Sequence, residues 1–369
     1  MDMINRIKQL KEEKNAVILA HYYVDADVQA AADFIGDSFY LAKKAAETDA
    51  DKIVFAGVEF MGESAKILNP TKHVYMPDAH ADCPMAHMVT IEKIKEMREK
   101  YDDLAVVCYI NSTAEIKTYS DVCVTSSNAI KIVNKLPNKN IFFIPDQNLG
   151  SYVATQVKDK NIILNSGFCP RHHIMTKEDV LNAKKEHPNA LVAVHPECKP
   201  EVLEEADYIG STSGIIDYIV GNDAKEFIVG TVDGVYATIL NQAPDKKLYN
   251  VVRTQVCPNM KLNSLEKIVH VLETGENEVF LDEEFMNKAK APLEKMLELA
   301  AQNAKIVLRQ DKDRIKREEE RTTGALKEIE GWLNLTHINR IEAYDISNTS
   351  GMESCLLYTS PSPRDRTRS

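Results

Sequence analysis

The sequence has little of what membrane-spanning, secreted or nucleic-acid-coating proteins need. None of its apolar runs approaches about 18 residues, the length at which a membrane-spanning helix is expected. Residues 1–14 are charged and helix-like rather than apolar, so we expect no secretion signal and place the protein in the cytoplasm. Lys and Arg number 45 against 56 Asp and Glu, which gives a net charge of −11. This excess of negative charge argues against a nucleic-acid partner, because nucleic-acid binding needs clustered positive charge.

Short apolar runs that end in polar residues and precede helical stretches dominate the first 300 residues. The runs are continuous rather than alternating, which is typical of parallel strands that are covered on both faces. The sequence therefore predicts an α/β fold with parallel sheets. The runs are AVILAHYY at 16–23, KIVFAGV at 52–58, LAVVCYIN at 104–111, VCVTS at 122–126, IFFIPD at 141–146, NIILNS at 161–166, ALVAVHPE at 190–197, ADYIGST at 206–212 and EFIVGT at 226–231.

Polar side chains gather where these predicted strands end. Ligands of parallel sheets bind beyond the carboxyl ends of the strands, so the set favours a binding or catalytic site. Taken singly, each residue could equally well be a polar residue that only ends a strand or caps a helix. The residues are His21, Tyr23, Glu59, Tyr109, Asn111, Ser126, Asp146, His195, Glu197, Ser211 and Thr212.

Three of the 7 cysteines, Cys83, Cys169 and Cys257, directly precede proline. They recur at a nearly equal spacing of about 87 residues, which indicates an internal repeat. Each of them follows a short strand-like run. The simplest picture is three α/β units around a pseudo-threefold axis, each of which brings one thiol to a central point.

Three convergent thiolates can bind zinc or an iron–sulfur cluster. Structural zinc normally uses four ligands and compact C-x-x-C pairs, which this sequence lacks. An electron-transfer cluster also uses four cysteines, so three ligands leave one iron open to act as a Lewis acid, which suits a dehydration. Cys198 is a weaker candidate for a further ligand because it breaks the spacing. Cys108 and Cys123 lie inside apolar runs and are expected to be buried core residues.

Eight short strings occur in order along residues 1–297 and, with the three Cys-Pro cysteines, resemble the quinolinate synthase family. They are AHYY at 20–23, GDS at 36–38, YIN at 109–111, TSSNA at 125–129, PDQNLG at 145–150, HPEC at 195–198, GSTSG at 210–214 and CPNMK at 257–261. The resemblance implies three similar three-layer α/β/α domains with parallel sheets in a pseudo-threefold triangular arrangement, with a [4Fe-4S] cluster at the centre. We expect the domains at residues 1–86, 87–172 and 173–297.

The activity that the resemblance implies belongs to de novo NAD biosynthesis. It is the condensation of iminosuccinate (iminoaspartate) with dihydroxyacetone phosphate, a transferase reaction that forms a C–C bond and releases phosphate and water as quinolinate closes. An enzyme that produces iminoaspartate would be its working partner. No nucleic acid and no membrane are expected as partners.

Site residues follow from the resemblance position by position. The implied cluster ligands are Cys83, Cys169 and Cys257. The implied catalytic residues are His21, Tyr23, Tyr109, His195 and Glu197. The implied substrate-binding residues are His21, Ser38, Tyr109, Asn111, Ser126, His195, Glu197 and Thr212. Residues Arg171, His172 and His173 follow a cluster ligand, and we expect them to be loop residues or hydrogen-bond donors around the cluster rather than catalytic groups.

The chain changes character near residue 299. Residues 294–353 contain NAKIVL at 303–308, RTTGALKEI at 321–329 and RIEAYDISNTSG at 340–351, which resemble the C subunit of the bacterial nucleotide excision repair endonuclease. That resemblance places Asp345 at a metal-binding position. The partner acidic residues and histidine of such a site are absent from the sequence, so we expect no nuclease activity.

Residues 355–369, CLLYTSPSPRDRTRS, resemble translated sequencing-adapter sequence and have the composition of a disordered segment. We therefore expect a foreign repair-protein-like fragment at 298–353 and an artefact tail at 354–369. The chain would then be an assembly chimera, with a genuine fusion as the alternative. The C-terminal appendage is expected to be helical or disordered.

Two other functions stay open at this point. One is a zinc-dependent hydrolase or lyase that uses the three Cys-Pro cysteines, or His195 with Glu197. The other is a DNA-repair interaction protein built on the C-terminal fragment.

Overall fold

Three four-stranded sheets follow one another along the chain, and all of their strand pairs are parallel. In each sheet the first strand in sequence lies between the second and the third, and the fourth strand pairs with the third at the edge. The repetition confirms the predicted α/β fold of three similar parallel sheets. These observations come from a computed structural model, which describes residues 3–334, 343–349 and 352–358.

Helices alternate with strands throughout the three repeated units. The first unit contains α1 (Met3–Lys14), β1 (Ala16–His21), α2 (Ala26–Ala31), β2 (Phe34–Gly36), α3 (Ser38–Glu47), β3 (Lys52–Ala56), α4 (Glu59–Leu68) and β4 (His73–Tyr75). The second contains a 3-10 helix (Pro84–His87), α5 (Ile91–Lys100), β5 (Leu104–Tyr109), α6 (Ala114–Thr118), β6 (Val122–Val124), α7 (Ala129–Lys135), β7 (Asn140–Ile144), α8 (Gln147–Gln156) and β8 (Asn161–Leu164). The third contains α9 (Pro170–His173), α10 (Lys177–Glu186), β9 (Leu191–Val194), α11 (Pro200–Leu203), β10 (Tyr208–Ile209), α12 (Thr212–Gly221), β11 (Glu226–Gly230), α13 (Val235–Gln242) and β12 (Lys247–Asn250).

The segment after the third sheet returns to the first sheet. It contains a 3-10 helix (Met260–Leu262) and α14 (Leu265–Thr274). Helix α14 packs against α1 and contacts β3, and the backbone N–H of Val279 donates to the carbonyl oxygen of Val74. Each sheet lies inside one of the three predicted domains. The end of the third predicted domain, however, packs against the first sheet. The boundaries at residues 86, 172 and 297 stay predictions.

Apolar side chains cover both faces of the sheets. In β9 of the third sheet, Val192 and Val194 belong to one buried cluster, while Ala193 between them belongs to another. Successive side chains of a strand point to opposite faces, so both faces of this strand are covered. This burial on two sides explains why the strands read as continuous apolar runs rather than as alternating ones.

One aspartate in each unit fastens the second strand to the first. Oδ2 of Asp207, just before β10, accepts the backbone N–H of Val192 in β9 at 2.8 Å. Asp33 and Asp121 accept from the first strands of their own units in the same way, at 2.8 and 2.7 Å. Asp33 directly precedes β2, so its contact with β1 marks where this strand begins. This three-residue strand was not among the predicted runs.

Residues 301–369 form a separate compact unit from residues 1–300. The described part of this stretch is helical up to Leu333: α15 (Glu283–Glu319) runs into it, and a π-helical turn (Glu320–Gly324) and α16 (Ala325–Leu333) follow. Two strands, β13 (Ala343–Thr349) and β14 (Met352–Tyr358), then pair antiparallel. The sequence did not predict this hairpin, and residues 359–369 of the expected tail lie outside the described residues. No described helix is both long enough and apolar enough to cross a bilayer.

The aspartate contact between strands generates a stability prediction. Asp207→Ala removes the acceptor of the Val192 N–H and is expected to lower the free energy of unfolding by about 1 kcal/mol. Urea unfolding followed by circular dichroism measures the change. The matched control is Asp223→Ala, an exposed aspartate of the same unit, which should change it by less than about 0.5 kcal/mol. Equal effects of the two substitutions would contradict this role of Asp207.

Candidate active site

One cavity is lined by every residue that the family resemblance assigned to the site, whereas Glu59, Asp146 and Ser211 of the strand-end set are not in its lining. Besides the assigned residues, Arg171, His172, Asp37, Asp82 and Asn259 also line it. The three units all contribute to the lining, and the catalytic and binding roles of the residues stay predictions. The predicted residues in the lining are His21, Tyr23, Ser38, Cys83, Tyr109, Asn111, Ser126, Cys169, His195, Glu197, Thr212 and Cys257.

Strand order explains how residues so far apart in sequence reach one cavity. His21 ends β1, Tyr109 ends β5, and His195 directly follows β9, so all three sit at the end of the first strand of a unit. The second strand of each unit leads to a hydroxyl residue: Ser38 begins α3 and Thr212 begins α12. Because parallel strands present their carboxyl ends at the same edge, these side chains meet there.

The three Cys-Pro cysteines each precede a short helical turn or turn-like segment. Pro84 opens a 3-10 helix and Pro170 opens α9, since proline fits the first helical position, where no N–H is needed. In this arrangement backbone N–H groups face the sulfur atoms. Burial raises the pKa of Cys83 to about 12, with Cys257 adding to the rise, while the N–H groups of the following turn oppose it.

The pKa values of Cys169 and Cys257 are shifted in the same direction as that of Cys83. Burial and the Glu197 carboxylate raise the pKa of Cys169, and Cys83 adds to this rise. Burial also raises the pKa of Cys257, while backbone N–H groups and the guanidinium of Arg171 oppose it. All three cysteines line the same cavity, and Cys83 is close enough to the other two to share in these electrostatic effects. A bound cation would reverse these pKa shifts, because it favours thiolate over thiol.

Glu197 is a buried carboxylate that donors from several segments surround. The hydroxyl of Tyr109 donates to Oε1 at 2.5 Å, and Nδ1 of His172 lies 2.8 Å from Oε2. Burial alone would raise the pKa of Glu197, but His172 and the Tyr109 phenol, which both lie at hydrogen-bonding distance, hold it below its ordinary value. The group is therefore an anion at neutral pH in a buried position.

His21 and His195 are neutral donors with a defined tautomer. The backbone N–H of Tyr23 donates to Nδ1 of His21 at 3.2 Å, and that of Glu197 donates to Nδ1 of His195 at 3.3 Å. The ring proton is therefore on Nε2, from which His195 donates to Ser126 at 3.2 Å. Burial lowers the pKa of both rings to about 3.

The phenols of Tyr23 and Tyr109 keep their protons. Burial and the nearby Glu197 carboxylate raise the pKa of both groups well above its usual value. The Tyr23 hydroxyl lies 2.9 Å from Oγ1 of Thr212 and 2.7 Å from Oγ1 of Thr231. Tyr23 thus joins the first unit to the third at the cavity wall.

Two residues at the centre were not assigned to the site by the sequence analysis. His172 was expected only around the cluster, yet it contacts Glu197 directly and lies 3.2 Å from the sulfur of Cys169. Thr231 follows β11 and was not singled out, although its position at a strand end was a usable signal. Its hydroxyl lies 3.0 Å from Nε2 of His172.

The other cysteines lie away from the cavity lining. The Cys198 sulfur donates to the carbonyl oxygen of Gly230 at 3.4 Å and contacts Met175 inside the third unit, so the structure does not bring it to the predicted ligands. Cys108 and Cys123 are fully buried in adjacent strands, as the sequence predicted for core residues.

Two groups of side chains have the spacing of metal ligands within the described part of the chain. In the first, ligand atoms of Cys169, His172 and Glu197 all lie within 4.8 Å of one another. The second consists of Glu59, Asp82 and His87 and is more exposed; of these, Asp82 also lines the cavity. The first group overlaps the predicted cluster site.

The neutral histidines generate a pH prediction. The folded pKa of His21 and His195 is about 3 against an ordinary 6.5, so the unfolded chain binds more protons at acidic pH. Their contribution to stability is complete above about pH 6.5 and is lost progressively as the pH falls below it. We expect the urea midpoint of the metal-free chain to fall between about pH 7.5 and about pH 5.5, and to fall less in His21→Asn.

The matched control for this experiment is His80→Asn, which removes an exposed imidazole. It should leave the pH dependence of the midpoint as it is in the unsubstituted chain. The account of the histidines is wrong if His21→Asn and His80→Asn change the dependence equally.

Comparison with known proteins matches the same part of the chain. The family described as quinolinate synthetase A protein matches residues 5–298. Quinolinate synthase of Fusobacterium nucleatum is 60% identical over 298 residues, which are 81% of this chain and 99% of the relative. The enzyme of the same name from Caldicellulosiruptor saccharolyticus is 51% identical over 294 residues, 80% of this chain and 97% of its own. That of Methanosarcina barkeri is 48% identical over 296 residues, 80% and 97% of the two chains.

These matches span nearly the whole length of each relative, and they coincide with the unit that contains the cavity. Similarity at this level and coverage, together with three repeated sheets around one cavity, leaves a single assignment: the chain belongs to the quinolinate synthase family.

Proposed function

We propose that the chain is a quinolinate synthase that condenses iminosuccinate (iminoaspartate) with dihydroxyacetone phosphate to quinolinate, phosphate and water. The observation that carries the proposal is the single cavity to which all three units contribute thiols, neutral donors and one buried carboxylate. The family assignment supports the same reaction. The transferase chemistry, with its new C–C bond, and the cytoplasmic location are part of the proposal.

Cys83, Cys169 and Cys257 would hold a [4Fe-4S] cluster. The donor set fits, since three half-buried cysteines line one cavity and backbone N–H groups face each sulfur. Hydrogen bonds to the sulfurs and low exposure are the features with which proteins stabilise such clusters. When bound, the cluster supplies an iron that has no protein ligand and can act as a Lewis acid.

Binding of two anionic substrates needs positive potential in the cavity. Arg171 supplies the permanent cation among the residues that line it. Helices α3 and α12, each of 10 residues, begin at lining residues and so direct the positive ends of their dipoles to the cavity. The neutral rings of His21 and His195 add N–H donors suited to carboxylate oxygens.

Proton transfer needs one group that accepts and others that donate. Glu197 is ionised and lies in a buried position, so it is the base of the site. Tyr23 and Tyr109 keep their protons and therefore donate, to a developing oxyanion or to a leaving hydroxyl group. Their proximity to Glu197 allows the same proton to be taken and returned within one cavity.

The amide of Asn111 fits a nitrogen-containing substrate. Its Oδ1 is buried and makes no hydrogen bond within the described residues. A buried carbonyl oxygen without a donor is costly, so the arrangement favours a ligand that brings an N–H group. The nitrogen of iminosuccinate, or of its enamine, supplies such a group.

A zinc-dependent hydrolase or lyase is the second candidate. It is favoured by the sulfur, nitrogen and oxygen donors of Cys169, His172 and Glu197, which are grouped closely enough for one ion. Against it, the sulfur and the carboxylate both lie at hydrogen-bonding distance from the same His172 nitrogen, which already explains the grouping.

The origin of the C-terminal unit belongs to the proposal as well. We interpret residues 298–353 as a foreign fragment related to the repair endonuclease subunit, and residues 354–369 as an adapter-derived tail. The matches to quinolinate synthases end near residue 300, where the second unit begins. An iminoaspartate-producing enzyme is the proposed functional partner.

Loss of any predicted ligand should remove the cluster. We expect Cys83→Ala, Cys169→Ala and Cys257→Ala, each purified and reconstituted without oxygen, to lose iron and sulfide and to reduce quinolinate formation more than about 100-fold. Iron and sulfide analysis with a chromatographic quinolinate assay measures both effects.

Cys108→Ala is the matched control, since this cysteine is buried outside the cavity lining and should keep its iron. A colourless unsubstituted protein that binds zinc instead of iron would contradict the proposal and favour the hydrolase. Quinolinate formation that survives all three substitutions would contradict the assignment of the ligands.

Removal of the second unit should leave the activity intact. Truncation after Ala300 keeps every residue of the cavity, and the buried positions Leu293 and Met296 of α15 remain. We expect the truncated chain to form quinolinate at a rate within about twofold of the full chain, because separate units with their own cores are largely independent. Abolished synthesis in a folded truncated chain would contradict the foreign origin of this unit.

A further inference from the structure

The loop at residues 110–113 joins β5 to α6 and carries Asn111 into the cavity lining. The backbone N–H of Ile110 donates to the carbonyl oxygen of Val124 at 2.8 Å, which fixes the beginning of the loop. The side-chain oxygen of Asn111 makes no hydrogen bond within the described residues. The place of the amide in the cavity therefore depends on the backbone that carries it.

Lys117 is a fully buried lysine of α6 that contacts the middle of this loop. Its Nζ donates to the carbonyl oxygen of Ser112, the residue that follows Asn111. The ammonium group also lies 5.6 Å from the centre of the Phe60 ring, which is the distance of a cation–π contact. A buried ammonium is costly, and an apolar side chain would fill the same space without that cost, so the contact with the loop is its distinctive feature.

Glu63, in α4 of the first unit, holds the next part of the loop. Its Oε2 accepts the backbone N–H of Ala114 at 2.8 Å. Burial raises the pKa of this carboxyl group, while the positive charge of Lys117 and the N–H of Ala114 oppose the rise. Two consecutive peptide groups, 112–113 and 113–114, are thus held by opposite charges that come from two different units.

We propose that Lys117 is a positioning residue, which together with Glu63 holds the loop so that the Asn111 amide faces iminosuccinate. The inference rests on the proposed function, in which this amide accepts an N–H group of the substrate. Neither charged side chain is in the cavity lining, so both act through the loop and not by contact with a substrate. A displacement of about 1 Å is enough to weaken such a contact greatly.

The test variant is Lys117→Met combined with Glu63→Gln, because this pair of changes leaves no uncompensated buried charge and so favours a folded protein. Glutamine still offers an oxygen to the Ala114 N–H, whereas the Ser112 carbonyl loses its donor. We expect KM for iminosuccinate to rise about tenfold, while kcat and KM for dihydroxyacetone phosphate change by less than about threefold. The two substrates differ because only iminosuccinate brings an N–H group to Asn111.

Asn111→Ala tests whether the effect passes through the amide. In the Asn111→Ala background, the changes at Lys117 and Glu63 should raise KM for iminosuccinate no further. Independent effects would overturn the proposal, and so would an unchanged KM in the test variant or an equal rise of KM for both substrates. Iron content measured on every variant establishes that the cluster is retained.

Lys246→Met is the matched control. Lys246 is also buried, donates to the carbonyl oxygen of Ala224 at 2.8 Å and lies 5.5 Å from the centre of the Phe227 ring. It belongs to the third unit and is not in the cavity lining, so both KM values should stay within about twofold. An effect on KM equal to that of the test variant would mean that loss of any buried lysine weakens binding, and it would overturn the specific role of Lys117.

Backbone hydrogen exchange, measured by mass spectrometry on the reconstituted full chain, needs no turnover. Peptides that contain residues 110–114 should exchange about tenfold faster in the test variant than in the unsubstituted chain, and at an unchanged rate in Lys246→Met. Unchanged exchange of this loop in the test variant would overturn the inference even if Asn111→Ala has no measurable activity. Failure of the unsubstituted chain to make quinolinate would instead overturn the proposed function, so the two failures are distinguishable.

Discussion

A parallel sheet presents the carboxyl ends of all its strands at one edge, and this constraint decides which residues of the chain can meet. Each unit repeats the same strand order, so each offers the end of its first strand and the start of the helix after its second strand at equivalent places. The loop after the fourth strand then carries the cysteine. Three such edges around one cavity place thiols, donors and a carboxylate together, although the residues are spread over more than half of the sequence.

The second constraint is the cost of a buried charge. Glu197 has almost no contact with water, and its ionised form persists because the Tyr109 phenol and His172 lie at hydrogen-bonding distance from its two oxygens. The same negative charge and the same burial raise the pKa of Tyr23 and Tyr109, so both phenols stay protonated beside an ionised carboxylate. Hydrogen bonds among these groups join all three units, and the geometry of the cavity therefore depends on how the units are packed.

The sequence predicted what repeats and strand ends can indicate, and it missed what only packing decides. The Cys-Pro spacing indicated the internal repeat, and apolar runs that end in polar residues indicated the sheets and most of the lining. The strand at Phe34–Gly36 was too short to stand out as a run, although its leading Asp33 has counterparts in both other units. His172 was not assigned to the site because Glu197 and Thr231, its partners, lie on other segments, and no local pattern reports a contact of that kind. Thr231 was overlooked although it directly follows a strand.

The proposed function depends on one cluster held by Cys83, Cys169 and Cys257, with one iron that has no protein ligand. Mössbauer spectroscopy of the full chain, reconstituted without oxygen with isotopically enriched iron, tests this most directly. The account predicts a single [4Fe-4S] species in which one iron of the four changes its spectrum when dihydroxyacetone phosphate and iminosuccinate are added, while the other three do not. A protein without this species, or a cluster in which all four irons are insensitive to both substrates, would contradict it.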